Sequence, residues 1–198
     1  MISPGNVLSY ASSGPTVWGL TPTQLHDRYW AARGIQVVRQ GEPSEIVNDA
    51  ELFLLTDPRT LTIFKLARVI ETLSWIKPEI LFIRIHDGRE RGYRERAITG
   101  ADNSFVRFER IYADTDSRLA RVALTPDRRL AHLWQNARDP RTAWRDIRKE
   151  VERTQRSVTS VNGSVFDRAE DVEVMAFMRT LMQRWPHPDA TVTLLRYS

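Results

Sequence analysis

The chain contains no cysteine. That excludes disulfides, a thiolate nucleophile, iron–sulfur clusters and every zinc site built on thiolates. Nor does it contain a Gly-x-Gly pair, so the dinucleotide-binding fingerprint is missing, and no glycine-rich loop runs into Lys-Ser or Lys-Thr as a P-loop would. A Gly-x-Ser-x-Gly nucleophile elbow is absent, and the four histidines lack the spacing of a zinc hydrolase. Residues 1–14 show no basic stretch leading into an apolar one. No apolar run approaches the length of a membrane span, and the expectation from these features is a cytoplasmic protein without a membrane span. Lysine is scarce: Lys65, Lys77 and Lys149 are the only ones among 29 basic residues, and the rest are arginine. Arginine forks suit phosphates and carboxylates, although a GC-rich genome also exchanges lysine for arginine without functional demand.

What remains is ordinary globular material. The 198 residues are 41% hydrophobic and 27% charged, with a formal net charge of +4, enough apolar content for one sizeable core. Residues 1–20 are rich in Ser, Gly and Pro and read as an irregular segment. Residues 21–198 read as a single α/β domain. Its closing strand, 191–196, ends almost at the last residue, as it would in a piece of a longer protein.

The first helix opens at Thr21-Pro22-Thr23-Gln24, where Thr21 caps, Pro22 fits the first turn and Gln24 completes a capping box; Gly34 stops it. Residues 35–40 read as a strand, and the nearly continuous apolar run 51–56 as a strand buried on both faces. Asp57-Pro58 reads as the cap of a helix carrying Leu61, Phe64, Ala67, Ile70 and Leu73 and stopping before Pro78. Residues 80–85 form a further apolar strand. Strand, helix and strand in succession imply a parallel βαβ unit. The fold class is therefore α/β: a mixed sheet with a parallel βαβ core over residues 35–86, antiparallel additions and a helical C-terminal region. The alternating stretches 105–113 and 118–124 supply the antiparallel strands. Helices follow over 127–137, 141–156 and 168–185, with a short hairpin near Asn162-Gly163.

In an open α/β sheet, ligands collect at the carboxyl ends of parallel strands. That places Asp57 and Arg59 after one strand, and Arg84, His86 and Asp87 at the end of the next, as the candidate ligand-binding cluster. A helix start and arginines would receive phosphate, and an imidazole beside carboxylates can act as acid, base or ligand. Structural alternatives stand beside each: Asp57 as a simple cap, and His86-Asp87-Gly88 as a turn. The expected ligand is a phosphorylated or nucleotide-type metabolite, a nucleotide sugar of glycan biosynthesis among the candidates, because Asp114-Thr115-Asp116 has the spacing that holds a divalent cation against a diphosphate.

Nucleic acid is the alternative partner. Phe105-Val106-Arg107-Phe108 resembles the second half of the RNA-recognition-motif signature, which would imply base stacking on those rings. The basic residue, glycine and first aromatic expected upstream are instead Ala101, Asp102 and Asn103. The arginines around it are interleaved with Glu90, Glu95 and Glu109. On the helix from Arg141, Arg141, Arg145, Arg148 and Arg156 fall along one side and Trp144, Ile147 and Val151 along the other; nearby Asp146, Glu150 and Glu152 favour a solvated, ion-paired face. Met175, Met178 and Met182 line the last helix, as core or as a face for a protein partner.

Overall fold

The computed structural model describes residues 16–88, 93–99, 105–112 and 119–184. The elements are α1 (Pro22–Ala31), β1 (Ile35–Arg39), β2 (Leu52–Thr56), β3 (Thr60–Phe64), α2 (Ala67–Ile76), β4 (Ile80–Asp87), β5 (Tyr93–Thr99), β6 (Phe105–Tyr112), β7 (Leu119–Thr125), α3 (Arg128–Asn136), α4 (Pro140–Glu150), β8 (Arg156–Asp167) and α5 (Asp171–Arg184). Six strands form a mixed sheet in the order β1-β2-β7-β4-β8-β3, and β5 and β6 form a separate two-stranded ladder. This is the α/β class implied by the sequence. Its parallel neighbours are β1 with β2 and β4 with β8. Among the described residues no helix is long and apolar enough to cross a membrane.

Local chemistry sets several of these boundaries as the sequence implied. Thr21 Oγ1 accepts from Gln24 N, and Gln24 Oε1 accepts from Thr21 N, which closes the capping box at α1. Asp139 caps α4, with Pro140 in its first turn.

Other boundaries move. No helix starts at Asp57-Pro58; those residues form a turn into β3, and the helix begins only at Ala67. Thr60, Thr62 and Ile63 are β-branched and favour the strand once β8 offers a ladder. β4 then runs in the same direction as β2, with β7 inserted antiparallel between them. The arginine-rich stretch before Thr99 is the strand β5, and β5–β6 stands apart from the main sheet rather than extending it. Instead of a hairpin at Asn162-Gly163, β8 is one strand that pairs with β4 through Gly163 and with β3 from Gly163 onward. A β-carbon on Gly163 would lie 2.7 Å from both Ile63 O and Ile85 Cγ2, so only glycine lets both neighbours close on this point. The Asp114–Asp116 spacing, the upstream positions Ala101 to Asn103 and the closing strand 191–196 lie outside the described residues.

Helices cover both faces of the sheet. On one face α1, α2 and α5 bury a cluster that includes Trp30, Leu54, Ile83, Phe166 and Phe177. On the other, α3 and α4 bury Phe53, Leu55, Ala123, Trp134 and Ile147. The coverage is unequal, and β4 records where it stops. Its first residues, Ile80 and Leu81, are both buried, whereas from Ile83 onward burial alternates and leaves Arg84 and His86 exposed. The α3/α4 layer therefore ends partway along β4, and a cleft opens at its rim.

A buried polar cluster ties α1 to two strands. Arg39 Nη2 lies 2.9 Å from His26 Nδ1 and 2.7 Å from Asp27 Oδ1. A guanidinium can only donate, so Nδ1 is the acceptor there, while Nε2 lies 3.0 Å from Thr62 O and 3.1 Å from both Thr62 N and Trp30 Nε1. Trp30 Nε1 donates to the same carbonyl at 3.1 Å. Burial first, and then the Arg39 charge, push the imidazole down to about 3, against the opposing hydrogen bond to Thr62.

Candidate anion-binding cleft

The cleft at the rim of α4 has a volume of about 620 Å³ and is lined by β4, β7, α4 and the first residues of β8. Four arginines border it: Arg84, Arg121, Arg141 and Arg148. The sheet supplies the first two, as direct register partners across β4 and β7. Residues opposite one another in an antiparallel ladder have β-carbons about 5 Å apart, and like charges there are unfavourable. The helix supplies the other two, which flank Trp144 at a spacing that puts all three on one stripe of α4. Asp139 holds the start of that helix: its carboxylate accepts from Thr142 N at 2.9 Å and Thr142 Oγ1 at 2.7 Å, and these donors keep its carboxyl below the usual range.

The remaining walls are apolar. Trp144 packs edge-on to Phe82 at 5.7 Å and at a tilt against Trp134 at 4.1 Å. Its back is thus fixed in the core while it lines the cavity. Val158, register partner of Phe82, lies 62% exposed beside it, and Ser160 stands opposite Arg84 on β8.

Nearby cations are neutralised within the protein, and among the described residues these four are not. Arg129 pairs with Glu79 at 3.1 Å and Asp127 at 3.3 Å. Arg145 and Lys149 both reach Asp146, at 3.4 and 3.8 Å. Arg156 turns back onto the end of α4, donating through Nε to Val151 O at 2.8 Å and through Nη2 to Arg148 O. The arginine side expected on this helix therefore divides: Arg145 and Arg156 are satisfied locally, while Arg141 and Arg148 join Trp144 at the cleft. Among the described residues no carboxylate forms an ion pair with Arg84, Arg121, Arg141 or Arg148.

Of the cluster expected from sequence, Arg84 lines this cleft, and His86 follows on the same face of β4. The other three lie elsewhere. Asp57 sits in the β2–β3 turn, where Oδ1 accepts from Arg59 N at 2.8 Å. Arg59 is committed to Asp167 at 3.0 Å. Asp87 points to the opposite face, buried, with Oδ2 accepting from Val165 N at 3.0 Å. β4 runs through Asp87, so His86-Asp87 is strand rather than turn, and this carboxylate satisfies a β8 donor just where the β4 ladder ends.

Arg121 and Phe82 went unnoticed in the sequence because their role depends on long-range register. The available signal was the change in β4 from continuous to alternating burial at Arg84. On the last helix, Met178 is core, whereas Met175 and Met182 are about half exposed. No protein-family model and no curated protein matches the chain.

Proposed function

We propose that this protein binds a phosphorylated, nucleotide-type metabolite in the cleft between α4 and the sheet. Its phosphates would lie among Arg84, Arg121, Arg141 and Arg148, and its ring system against Trp144 and Val158. The observation that carries this reading is the cross-strand pair Arg84–Arg121, two like charges side by side with no carboxylate ion-paired to either among the described residues. A bound anion turns that arrangement from a cost into a bidentate clamp, since guanidinium forks match phosphate oxygens. The volume suits a mononucleotide or nucleotide sugar, within the usual range of small-molecule sites. His86 lies two residues further along β4, on the same exposed face as Arg84.

Single-stranded nucleic acid is the second reading, favoured by one feature: the cleft continues onto an exposed stretch of sheet at Arg84, His86 and Ser160. In the β5–β6 ladder the register sets Glu95 opposite Arg110 and Arg96 opposite Glu109.

A thermal-shift screen against nucleotides, nucleotide sugars, sugar phosphates and short RNA at two salt concentrations separates the two, since a ligand of the native state stabilises it. A salt-resistant shift with a small phosphorylated compound, lost in the Arg121→Ala variant, is the expected result. Shifts only with RNA that fade as salt rises would favour the second reading, and no shift with any compound would remove both.

A further inference from the structure

The four arginines of the cleft are not equivalent, and the direction of α4 separates them. The chain enters α4 beside the carboxyl end of β1, where the Gln40 side chain donates to Ala137 O. It leaves α4 beside the start of β8, where Arg156, register partner of Ile80, donates to Val151 O at 2.8 Å. Strands β1, β2, β4 and β8 all run in one direction, so α4 runs against them. Trp144 packs on Phe82 of β4. One turn before Trp144, Arg141 therefore falls toward the carboxyl end of β4, where Arg84 and Arg121 stand opposite one another. One turn after it, Arg148 falls toward the beginning of β8.

The cleft thus has three cations at one end and one at the other. Between them the lining is apolar, with Trp144 on the helix and the register partners Phe82 and Val158 on the sheet. Arg141 and Arg148 are seven residues apart, about 10 Å along the helix axis. The sequence of α4 keeps carboxylates off this stripe. Trp144 and Arg145 occupy the places three and four residues from each of the two arginines. Glu152, four places beyond Arg148, lies past the end of the helix, since Val151 is already extended. The two acids of α4 serve other cations: Asp146 takes Arg145 and Lys149, and Glu150 faces Arg129 at 4.0 Å. Arg148 is exposed, and among the described residues no anion stands beside it at its end of the cleft.

We propose, resting on the phosphate-binding reading of this cleft, that its ligand is a nucleotide with phosphates on both sides of one ribose, as in a nucleoside 3′,5′-bisphosphate. One phosphate sits among Arg84, Arg121 and Arg141, the nucleoside lies along Trp144 and Val158, and Arg148 takes the second phosphate. A 5′-diphosphate meets only one end of the cleft, because its two phosphates share a bridging oxygen, and it leaves Arg148 without a partner. A phosphate on the far side of the ribose reaches that arginine and gains a charge-assisted hydrogen bond that the diphosphate does not make.

The test is calorimetric titration of the full chain with the 5′-diphosphates and the 3′,5′-bisphosphates of adenosine, guanosine, cytidine and uridine. Each pair carries the same two phosphates and differs in where they stand. The expected result is a bisphosphate that binds about tenfold or more tighter than the diphosphate of the same base. Arg148→Ala removes that advantage and leaves the diphosphate affinity unchanged, which also establishes that the variant is folded; Arg121→Ala weakens both compounds. A diphosphate that binds as tightly as its bisphosphate, or an Arg148→Ala variant that weakens the two equally, overturns the proposal and leaves the cleft a phosphate site. Affinity that climbs with each nucleotide added to a short RNA overturns it in favour of a strand. No binding of any of these compounds overturns it together with the phosphate-binding reading.

Discussion

Arg39 donates to the Nδ1 of His26 while its guanidinium also pairs with Asp27, so a charged and a neutral partner share one buried cation. The imidazole can serve as acceptor only while it is unprotonated. Protonation would set two cations face to face inside the cluster that joins α1, β1 and β3.

That relationship fixes a pH dependence. His26 titrates near 3 in the folded chain and near 6.5 when unfolded. Between those values the unfolded state binds a proton that the folded state refuses. The stability associated with the neutral ring is fully present above about pH 6.5 and declines as pH falls toward 3, by about 1.4 kcal/mol per pH unit. Urea denaturation from pH 7 to 4 should show a steeper loss for the wild type than for His26→Gln. Parallel curves would contradict this account of the cluster.

The Gly163 crossing makes a steric prediction. Gly163→Ala places a methyl group 2.7 Å from a backbone oxygen and a core side chain, and overpacking of this kind costs about 1–3 kcal/mol. Denaturant midpoints should fall by that amount while ligand binding in the folded protein is retained, because the crossing lies away from the arginine cleft.

Asp87 separates fold from site. Replacing it with Ala leaves the buried Val165 N–H without this acceptor, a loss of about 1–3 kcal/mol in stability. Its carboxylate faces away from Arg84, so affinity for a phosphorylated ligand should be unchanged. A large loss of affinity with stability intact would return Asp87 to the binding site.

The arginine pair predicts an unusual response to charge. Arg121→Glu puts a carboxylate opposite Arg84, and cross-strand pairs of this type differ by a few tenths to about 1 kcal/mol. The variant should be more stable than the wild type at low salt, and the difference should shrink as salt rises. It should also lose binding of any phosphorylated ligand.

Much of the fold was legible because it is written locally. Thr21, Pro22 and Gln24 announce α1; Asp139 and Pro140 announce α4; the apolar runs around Leu54 and Ile83 announce central strands. The misread stretch, from Asp57 to Phe64, offers a good helix cap followed by apolar residues that also satisfy helical spacing. Only the distant β8 ladder, pairing Thr60 with Asp167 and Phe64 with Gly163, decides it as strand. The site was legible in part for the same reason. Arg84 could be placed at a strand end, but its pairing with Arg121 and proximity to Trp144 arise from β7 entering the sheet between β2 and β4, which no local pattern specifies.

The central claim is that Arg84, Arg121, Arg141 and Arg148 form a phosphate site, and calorimetric titration of a nucleoside diphosphate into the wild type and into Arg84→Ala and Arg121→Ala tests it most directly. The account predicts saturable one-to-one binding to the wild type, weakened about tenfold or more by each substitution through loss of a charge-assisted hydrogen bond. Binding of equal strength in all three proteins, or none to the wild type, would contradict it.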